Sequence, residues 1–286
     1  MIKSIILWLL TIVIALSTMV YQRLTGPTYP KKVELSINDT TYKLNLLRSS
    51  EIGTPCEIRL PITDKSISGN LIYKRYNTND SLTFLKMERK IVKDKAFFGE
   101  GPEIEVLYAT LPEQPAAGKI EYYVELSNGE DVFNVLKENP VVLRFKGYVP
   151  RYILTPHIIF MILSLIFGVR AGIEAIFSRK RTLRYVTITL ISLGIGGLFL
   201  GPVVQFNAFG EYWTGWPFGS DWTDNKTLFA FIFWVVAFFQ LRKNPKNRLW
   251  PLVALTVLFS VYLIPHSMGG SELNPETGQI ETGLKK

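Results

Sequence analysis

The sequence predicts an α+β membrane protein with an N-terminal anchor helix, an antiparallel β-sandwich and a C-terminal four-helix transmembrane bundle. Apolar runs of the length needed to span a bilayer lie at the N-terminus and in the C-terminal half. The segment between them alternates polar and apolar residues with the period of two that β-strands show. Charge is segregated too, since residues 21–151 contain 19 Lys+Arg and 17 Asp+Glu, and the rest of the chain contains 13 and 7.

The first predicted span is the run Ile5–Val20, which follows Lys3. We interpret residues 1–21 as an uncleaved anchor, because apolar character continues beyond Ala15-Leu16-Ser17. That tripeptide is also a tolerable cleavage site, so a removed signal peptide is the alternative. The four-helix bundle is predicted over residues 151–266. Its expected spans are Tyr152–Phe177, Tyr185–Phe206, Thr227–Leu241 and Leu249–Pro265.

Two basic loops predict how the chain crosses the bilayer. They contain Arg179, Lys180, Arg181 and Arg184, and then Arg242, Lys243, Lys246 and Arg248. Loops rich in Lys and Arg stay on the cytoplasmic side of a membrane. We therefore expect a multi-pass protein of the bacterial inner membrane with a cytoplasmic N-terminus. Residues 22–150, the loop 207–226 and the tail 267–286 are then periplasmic or extracellular.

Charge and cysteine content exclude several classes of function. The eight cations of the two basic loops equal the formal net charge of +8, so the excess charge indicates topology. No nucleic-acid binding is expected, because no recognised nucleic-acid motif accompanies these cations. Cys56 is the single cysteine, which excludes an intrachain disulfide, a CxxC pair and a cysteine-rich zinc site.

Residues 22–150 are predicted to form short antiparallel strands. Val33–Ile37 alternates up to the turn Asn38-Asp39, and Asn128-Gly129 is the strongest short hairpin signal in the chain. Further predicted strands are Tyr42–Leu46, Ile67–Tyr76, Glu103–Leu111, Lys119–Leu126 and Val141–Phe145. Many short strands with turns between them are typical of a sandwich.

The segment Tyr108–Val124, with Asn128-Gly129 beyond it, is similar to the last strands of bacterial immunoglobulin-like and fibronectin-III-like domains. This resemblance implies an Ig-like sandwich with Tyr122 or Tyr123 in a tyrosine-corner-like position, and it implies no activity. Residues 21–151 contain no histidine, so a Ser-His-Asp triad is excluded there. We expect Cys56 to be a buried apolar residue rather than a nucleophile.

The loop 207–226 has the most unusual composition in the chain. One interpretation is interfacial anchoring, with Asp221 or Thr223 capping the next helix and Asp224 in its first turn. The other is a folded outer-rim loop that forms a site. Its candidate residues are Glu211, Tyr212, Trp213, Trp216, Asp221, Trp222, Asp224 and, from the tail, Glu272.

The pattern WTGxPxGxDxTDNK, over residues 213–226, resembles a loop of bacterial inner-membrane proteins that share this layout and have an extracytoplasmic Ig-like domain. The resemblance implies a topology and no chemistry.

The two histidines of the chain are expected at one depth. His157 lies at the outer start of the second span and His266 at the outer end of the fifth. With a rim carboxylate they could hold a divalent metal, and facing each other they could ligate haem b. The alternatives are hydrogen bonding at helix ends, or binding of a quinone or another small ligand.

Two further pairs lie inside the predicted spans. Arg170 and Glu174 are four residues apart and so lie on one helix face, as a structural ion pair or as part of an ion path. Gly197 and Gly201 have the spacing of closely packed membrane helices, either within the chain or in a homodimer.

Three functions are compatible with these observations, and no phosphate loop, zincin helix or nucleophile elbow adds another. The favoured one is a non-enzymatic envelope protein whose sandwich binds a partner protein or glycan while the bundle anchors it in the lipid bilayer. The second is a membrane redox or metal-site protein that uses both histidines. The third is a small transporter or a transporter accessory subunit, and enzymatic activity stays open.

Overall fold

A computed structural model of the chain describes residues 2–95, 100–177, 180–265 and 269–282. These residues divide into two units. We call Met1–Pro27, Tyr148–Ser271 and Glu281–Lys286 the helical unit, and Thr28–Gly147 with Glu272–Ile280 the β unit. The expected α+β class is confirmed.

The helical unit contains apolar helices, and residues 28–147 of the β unit separate the first helix from the second in sequence. The helices are α1 (Ile2–Thr25), α2 (Arg151–Phe177), α3 (Thr182–Leu193), α4 (Gly201–Phe209), α5 (Trp222–Lys243) and α6 (Leu249–Leu263). Between α3 and α4 the chain continues without a break as a π-helical segment, Gly194–Leu200.

Within the described residues, four helical segments are long and apolar enough to cross a membrane. They are α1, α2, α5 and the continuous segment Thr182–Phe209. At 15 residues, α6 is apolar but shorter than the roughly 20 residues of an ordinary span.

α6 packs against both α2 and α5. In its middle, the side chain of Leu255 packs against Gly172 of α2. Beyond its last residue, the carbonyl of Ile264 accepts a hydrogen bond from Lys226 Nζ at 3.1 Å, in the first turns of α5. α6 therefore runs antiparallel to α5.

The core of the helical unit includes a face of α1. Leu7, Thr11 and Ala15 of α1 are buried, and α1 contacts α2 and α6. The largest side chain in this core, Trp234 of α5, is fully buried and lies beside Gly168 of α2.

The β unit contains short strands throughout. They are β1 (Lys31–Ile37), β2 (Thr40–Leu46), β3 (Ser49–Glu51), β4 (Cys56–Leu60), β5 (Ser68–Arg75), β6 (Thr83–Lys86), β7 (Glu88–Lys95), β8 (Glu100–Leu111), β9 (Lys119–Ser127), β10 (Val132–Val135) and β11 (Val141–Lys146). The strands β12 (Glu272–Leu273) and β13 (Ile280–Glu281) follow the helices in sequence.

The strands pair mainly antiparallel. The larger sheet has the order β3-β11-β9-β5-β6, and β10 also pairs with β9. A second sheet has the order β4-β8-β7, and β1-β2 and β12-β13 are hairpins. β3 departs from the antiparallel pattern, because it pairs parallel with β11.

Two predicted turns are confirmed. Asn38 and Asp39 both have positive φ, at 49° and 61°, and they connect β1 to β2. Gly129 has a φ of 97° between β9 and β10. The side-chain oxygen of Asn128 accepts the backbone N–H groups of Glu130 and Asp131 at 3.0 and 2.8 Å, which holds this turn closed.

One apolar core lies between the sheets. It includes Leu71 and Val124 from the larger sheet together with Ile58 and Leu107 from the second. Cys56 is buried in this core, as expected, and burial raises the pKa of its thiol above the ordinary value of 9.0.

The adjacent tyrosines of β9 face opposite sides of the larger sheet. Tyr122 belongs to the core and its hydroxyl donates to the carbonyl of Leu47 at 2.8 Å, whereas Tyr123 lies on the other face. This hydrogen bond spans 75 residues. In a tyrosine corner the acceptor lies only a few residues upstream, so Tyr122 ties two distant segments together.

Candidate functional site

The predicted rim loop is a folded segment with defined ends. We use "rim loop" for residues 210–221, between α4 and α5. α4 ends at Gly210, which has a left-handed φ of 87°. α5 begins after Asp221, whose Oδ1 accepts the backbone N–H of Thr223 at 2.7 Å. Asp221 is therefore the capping residue of α5.

Asp224, in the first turn of α5, holds the loop in place. Its Oδ2 accepts the backbone N–H groups of Thr214 and Gly215 at 2.7 and 3.0 Å. Gln205 of α4 donates to the same oxygen at 3.2 Å. A methyl group at Gly215 would lie 2.6 Å from Asp224 Cβ, so only glycine allows this close approach.

Asp221 accepts a second set of hydrogen bonds next to those accepted by Asp224. Its Oδ2 accepts hydrogen bonds from Thr214 Oγ1 at 3.0 Å and from the backbone N–H of Ser271 at 3.2 Å. Both carboxylates are buried. The donors described above all belong to the helical unit, so both carboxylates have a structural role in the rim loop.

The other predicted rim residues have different surroundings. Glu211 is exposed, and the ring of Tyr212 stacks on Phe206 with centroids 4.2 Å apart. Trp213 Nε1 donates to the carbonyl of Trp216 at 3.1 Å. Glu272 forms an ion pair with Lys119 within the β unit. The structure thus brings Asp221 and Asp224 together and gives Glu211 and Glu272 other roles.

The rim loop presents aromatic rings to its surroundings. The side chains of Trp216 and Phe218 are 69% and 83% exposed, and Tyr212 and Trp222 are also exposed. Such side chains are typical of membrane–water interfaces, as the anchoring interpretation requires. Phe218 was not among the predicted rim residues, although its position between Pro217 and Gly219 in a turn-rich segment favours exposure.

His157 contacts the π-helical segment. Its Nδ1 lies 2.9 Å from the carbonyl oxygen of Gly196. A carbonyl can only accept, so Nδ1 carries a proton and Nε2 is left as the ligating nitrogen. His266 lies outside the described residues. Among the residues that the structure describes, no group of three or more His, Cys, Asp or Glu could hold a metal ion. The paired-histidine site for a metal or haem b stays a prediction.

Arg170 and Glu174 form a buried ion pair that connects three helices. Arg170 Nη2 lies 2.8 Å from Glu174 Oε2, and both side chains are almost fully buried. The guanidinium lies over the rings of both Trp8 and Tyr185, with its carbon 5.3 and 5.0 Å from their centroids. Glu174 Oε1 accepts the backbone N–H of Arg181 at 3.2 Å. These contacts join α1, α2 and α3.

The two glycines of the predicted packing pair differ in how closely neighbouring atoms approach them. A methyl group at Gly197 would lie 2.6 Å from Thr227 Cγ2 of α5, so this glycine packs within the chain. At Gly201 the nearest atom to such a methyl group would be the Gly196 carbonyl oxygen at 3.6 Å, an ordinary contact. The close approach is therefore made by Gly197.

The β unit carries a groove on the outer face of its larger sheet, with a volume of about 330 Å³. Ile72 and Tyr123, which are register partners on β5 and β9, lie on the side opposite the core. Lys74 and Glu121 form an ion pair at 3.1 Å beside them. We call this feature the sheet groove. Its lining residues are Ile72, Lys74, Asp80, Leu82, Glu121, Tyr123, Lys137 and Pro140.

An edge strand with exposed apolar side chains borders the sheet groove. β6 lies at the end of the strand order, and its Phe84 pairs in register with Ile72 of the groove. Phe84 is 63% exposed, and Leu82 just before the strand is exposed as well. Sequence reasoning missed β6, because Thr83–Lys86 is short and shows no clear alternation.

Comparison of the chain with protein-family models, with curated proteins and with solved structures finds no match. Its function is therefore inferred from its own residues and their geometry.

Proposed function

We propose that this chain is a multi-pass protein of the bacterial inner membrane that anchors an extracytoplasmic binding domain. The apolar helices of the helical unit supply the anchor. The β unit is then an Ig-like sandwich, which the shared core of its two main sheets supports. Its position outside the cytoplasm follows from the positive-inside rule applied to the two basic loops.

The proposed topology has five spans, with α6 as the fifth. The hydrogen bond from Lys226 to the carbonyl of Ile264 supports this count, because it joins the start of α5 to the end of α6. A helix of 15 residues is about 22 Å long, which requires local thinning of the bilayer or help from the flanking residues.

The binding surface that we propose is the edge strand β6 together with the sheet groove. An edge strand presents backbone N–H and C=O groups that an added strand can pair with. Exposed apolar residues on such an edge, here Leu82 and Phe84, favour association with another chain. The single observation that carries the proposal is this edge next to the groove.

A partner protein fits this surface better than a glycan does. An extended protein segment can pair along Thr83–Lys86 and place alternate side chains toward the sheet groove. A glycan has no regular backbone ladder to offer to a strand edge. The ion pair of Lys74 with Glu121 leaves a groove of mixed charge, which suits a segment with apolar anchors rather than a strongly charged one.

Site-specific photo-crosslinking in living cells tests this function. A photoreactive amino acid replaces Leu82 in the full-length chain, and the matched control carries it at Ile91. Ile91 is 68% exposed and lies on β7, the edge strand of the second sheet, so the two probes differ mainly in location. We expect a discrete protease-sensitive adduct from position 82 and none from position 91.

A second variant tests whether the surface itself binds the partner. Phe84→Glu in the Leu82 probe background places a charge on the edge and should abolish the adduct, whereas Ile91→Glu should leave it unchanged. Equal adducts from both probe positions, or an adduct that persists with Phe84→Glu, would contradict the proposal. An adduct sensitive to glycosidase but not to protease would identify a glycan instead.

A further inference from the structure

One end of the helical unit is covered with cations. Lys180 and Arg181 lie between α2 and α3, and Arg184 lies in the first turn of α3. Arg242 and Lys243 are the last residues of α5, and Lys246 and Arg248 lie in the loop after it. All of these side chains are exposed. Neither loop contains an acidic residue. The nearest acid in α2, Glu174, is buried and already paired with Arg170.

The two loops lie at the same end of the helical unit. Tyr262, near the end of α6, donates to the carbonyl of Met161 of α2 at 3.1 Å. Leu255, earlier in α6, packs against Gly172, later in α2. The two helices therefore run antiparallel, and the start of α6 lies at the same end as the last turn of α2. Lys3 at the start of α1 also belongs to this end, because its Nζ donates to the carbonyl of Phe177 at 3.4 Å. We call the exposed cations of the two loops and Lys3 the cationic end.

The loop between α5 and α6 holds its cations in a defined turn. Asn244 Oδ1 accepts the backbone N–H of Lys246 at 3.0 Å, and the Asn244 carbonyl accepts that of Asn247 at 2.9 Å. Asn247 Oδ1 then accepts the backbone N–H of Trp250 at 3.3 Å. A turn fixed by these hydrogen bonds loses little conformational freedom when a ligand binds.

We infer that the cationic end binds the headgroups of anionic phospholipids in the bilayer that the helices span. Each cation lies within a few residues of an end of an apolar helix. When such a helix spans a bilayer, its ends lie at the depth of the lipid phosphates. Trp250 follows the last cation in sequence by two residues and suits the same interface. Anionic headgroups match the excess positive charge, whereas zwitterionic headgroups do not.

Lipid retention measures this binding directly. The full-length chain is reconstituted into nanodiscs of equal parts phosphatidylcholine and phosphatidylglycerol, then extracted gently, and its bound lipids are counted by mass spectrometry. We expect bound phosphatidylglycerol to outnumber bound phosphatidylcholine by about fivefold, since each cation near the surface favours anionic lipid. The excess should fall as NaCl rises from about 50 to about 500 mM.

A charge-neutralised variant and a matched control identify the source of the preference. The variant is Arg242→Gln, Lys243→Gln, Lys246→Gln and Arg248→Gln, which keeps the other basic loop intact. The control neutralises four exposed lysines of the β unit, Lys31→Gln, Lys43→Gln, Lys65→Gln and Lys86→Gln. We expect the variant to lose most of the enrichment and the control to keep it.

Two results would overturn the inference. One is a wild-type chain that retains both lipids in their bulk ratio, which is informative even when the variant does not fold. The other is a folded variant with unchanged enrichment. Adding inorganic phosphate to the lipid-bound protein distinguishes headgroup binding from binding of free phosphate. We expect millimolar phosphate to displace little of the bound lipid.

Discussion

The carboxylate of Asp224 accepts the backbone N–H of Thr214 at 2.7 Å, which ties the rim loop to the first turn of α5. Asp224→Ala should therefore lower the free energy of unfolding by about 2–3 kcal/mol, because buried backbone donors lose their acceptor. Thermal unfolding of the detergent-solubilised chain, followed by tryptophan fluorescence, measures the change. The control is Glu211→Ala, an exposed acid of the same loop, and equal effects of the two variants would contradict the structural role of Asp224.

Gly197 and Gly201 give a paired test of helix packing. Gly197→Ala should destabilise the helical unit by about 1–3 kcal/mol, since the added methyl group would overlap Thr227. Gly201→Ala should have little effect, because its methyl group would meet only ordinary contacts. Unfolding in graded denaturing detergent compares the two variants. Equal losses, or a larger loss at Gly201, would argue for packing between two copies of the chain.

Single and double substitutions in the ion pair of Arg170 and Glu174 should lower the free energy of unfolding by different amounts. Removing one partner leaves a buried charge without compensation, so Arg170→Met or Glu174→Leu should each cost about 3–5 kcal/mol. The double variant should cost less than the sum of the two single losses. A double-mutant cycle in detergent measures this coupling. Simple additivity would show that the two side chains act independently, as separate groups on an ion path could.

Cys56 should react slowly with thiol reagents in the folded chain. Burial raises the pKa of its thiol above 9.0, so at pH 8 the native chain has less of the reactive thiolate than the unfolded chain has. We expect labelling at least about tenfold slower than in denaturant. Protonated Cys56 is favoured in the fold, so its contribution to stability is full below pH 9.0 and declines as pH rises through the native pKa. Equal labelling rates in the two states would contradict burial.

Charge reversal tests the proposed orientation. Reversing Arg179, Lys180, Arg181 and Arg184 to Glu should disturb insertion, because in the proposed orientation these cations keep their loop on the cytoplasmic side. Reversing four lysines of the β unit, Lys31, Lys43, Lys65 and Lys86, should leave the topology intact. Protease added to spheroplasts should digest the β unit of wild type and of the lysine variant. The orientation is wrong if the two variants behave alike.

The apolar helices and six of the 13 described strands were predicted from the sequence, because burial sets a simple period in each. The predicted run Leu249–Pro265 became α6 at Leu249–Leu263, and the predicted strand Lys119–Leu126 became β9 with one residue more. Tyr185–Phe206 became a longer helical segment with a π-helical stretch at Gly194–Leu200. A π-helix leaves the apolar pattern continuous, so periodicity alone could not have revealed it.

Several strands were not predicted, for a physical reason. β6 and β7 lie at sheet edges, where both faces are partly exposed and apolar alternation is weak.

The candidate site was predicted only in part, because sequence spacing does not give the direction of a side chain. Asp224 was expected as a helix-dipole partner or ligand, and its main partners are the backbone N–H groups of Thr214 and Gly215.

The contact of Trp8 with Arg170 has a consequence for biogenesis. Trp8 precedes the β unit in sequence, yet its partners on α2 and α3 are translated only after residues 28–147. In the proposed membrane topology, α1 waits in the bilayer until then with its packing face, including Leu7 and Ala15, turned toward lipid or a chaperone. A ribosome-bound chain stopped before α2 should therefore expose a cysteine placed at position 7 to lipid-phase labelling.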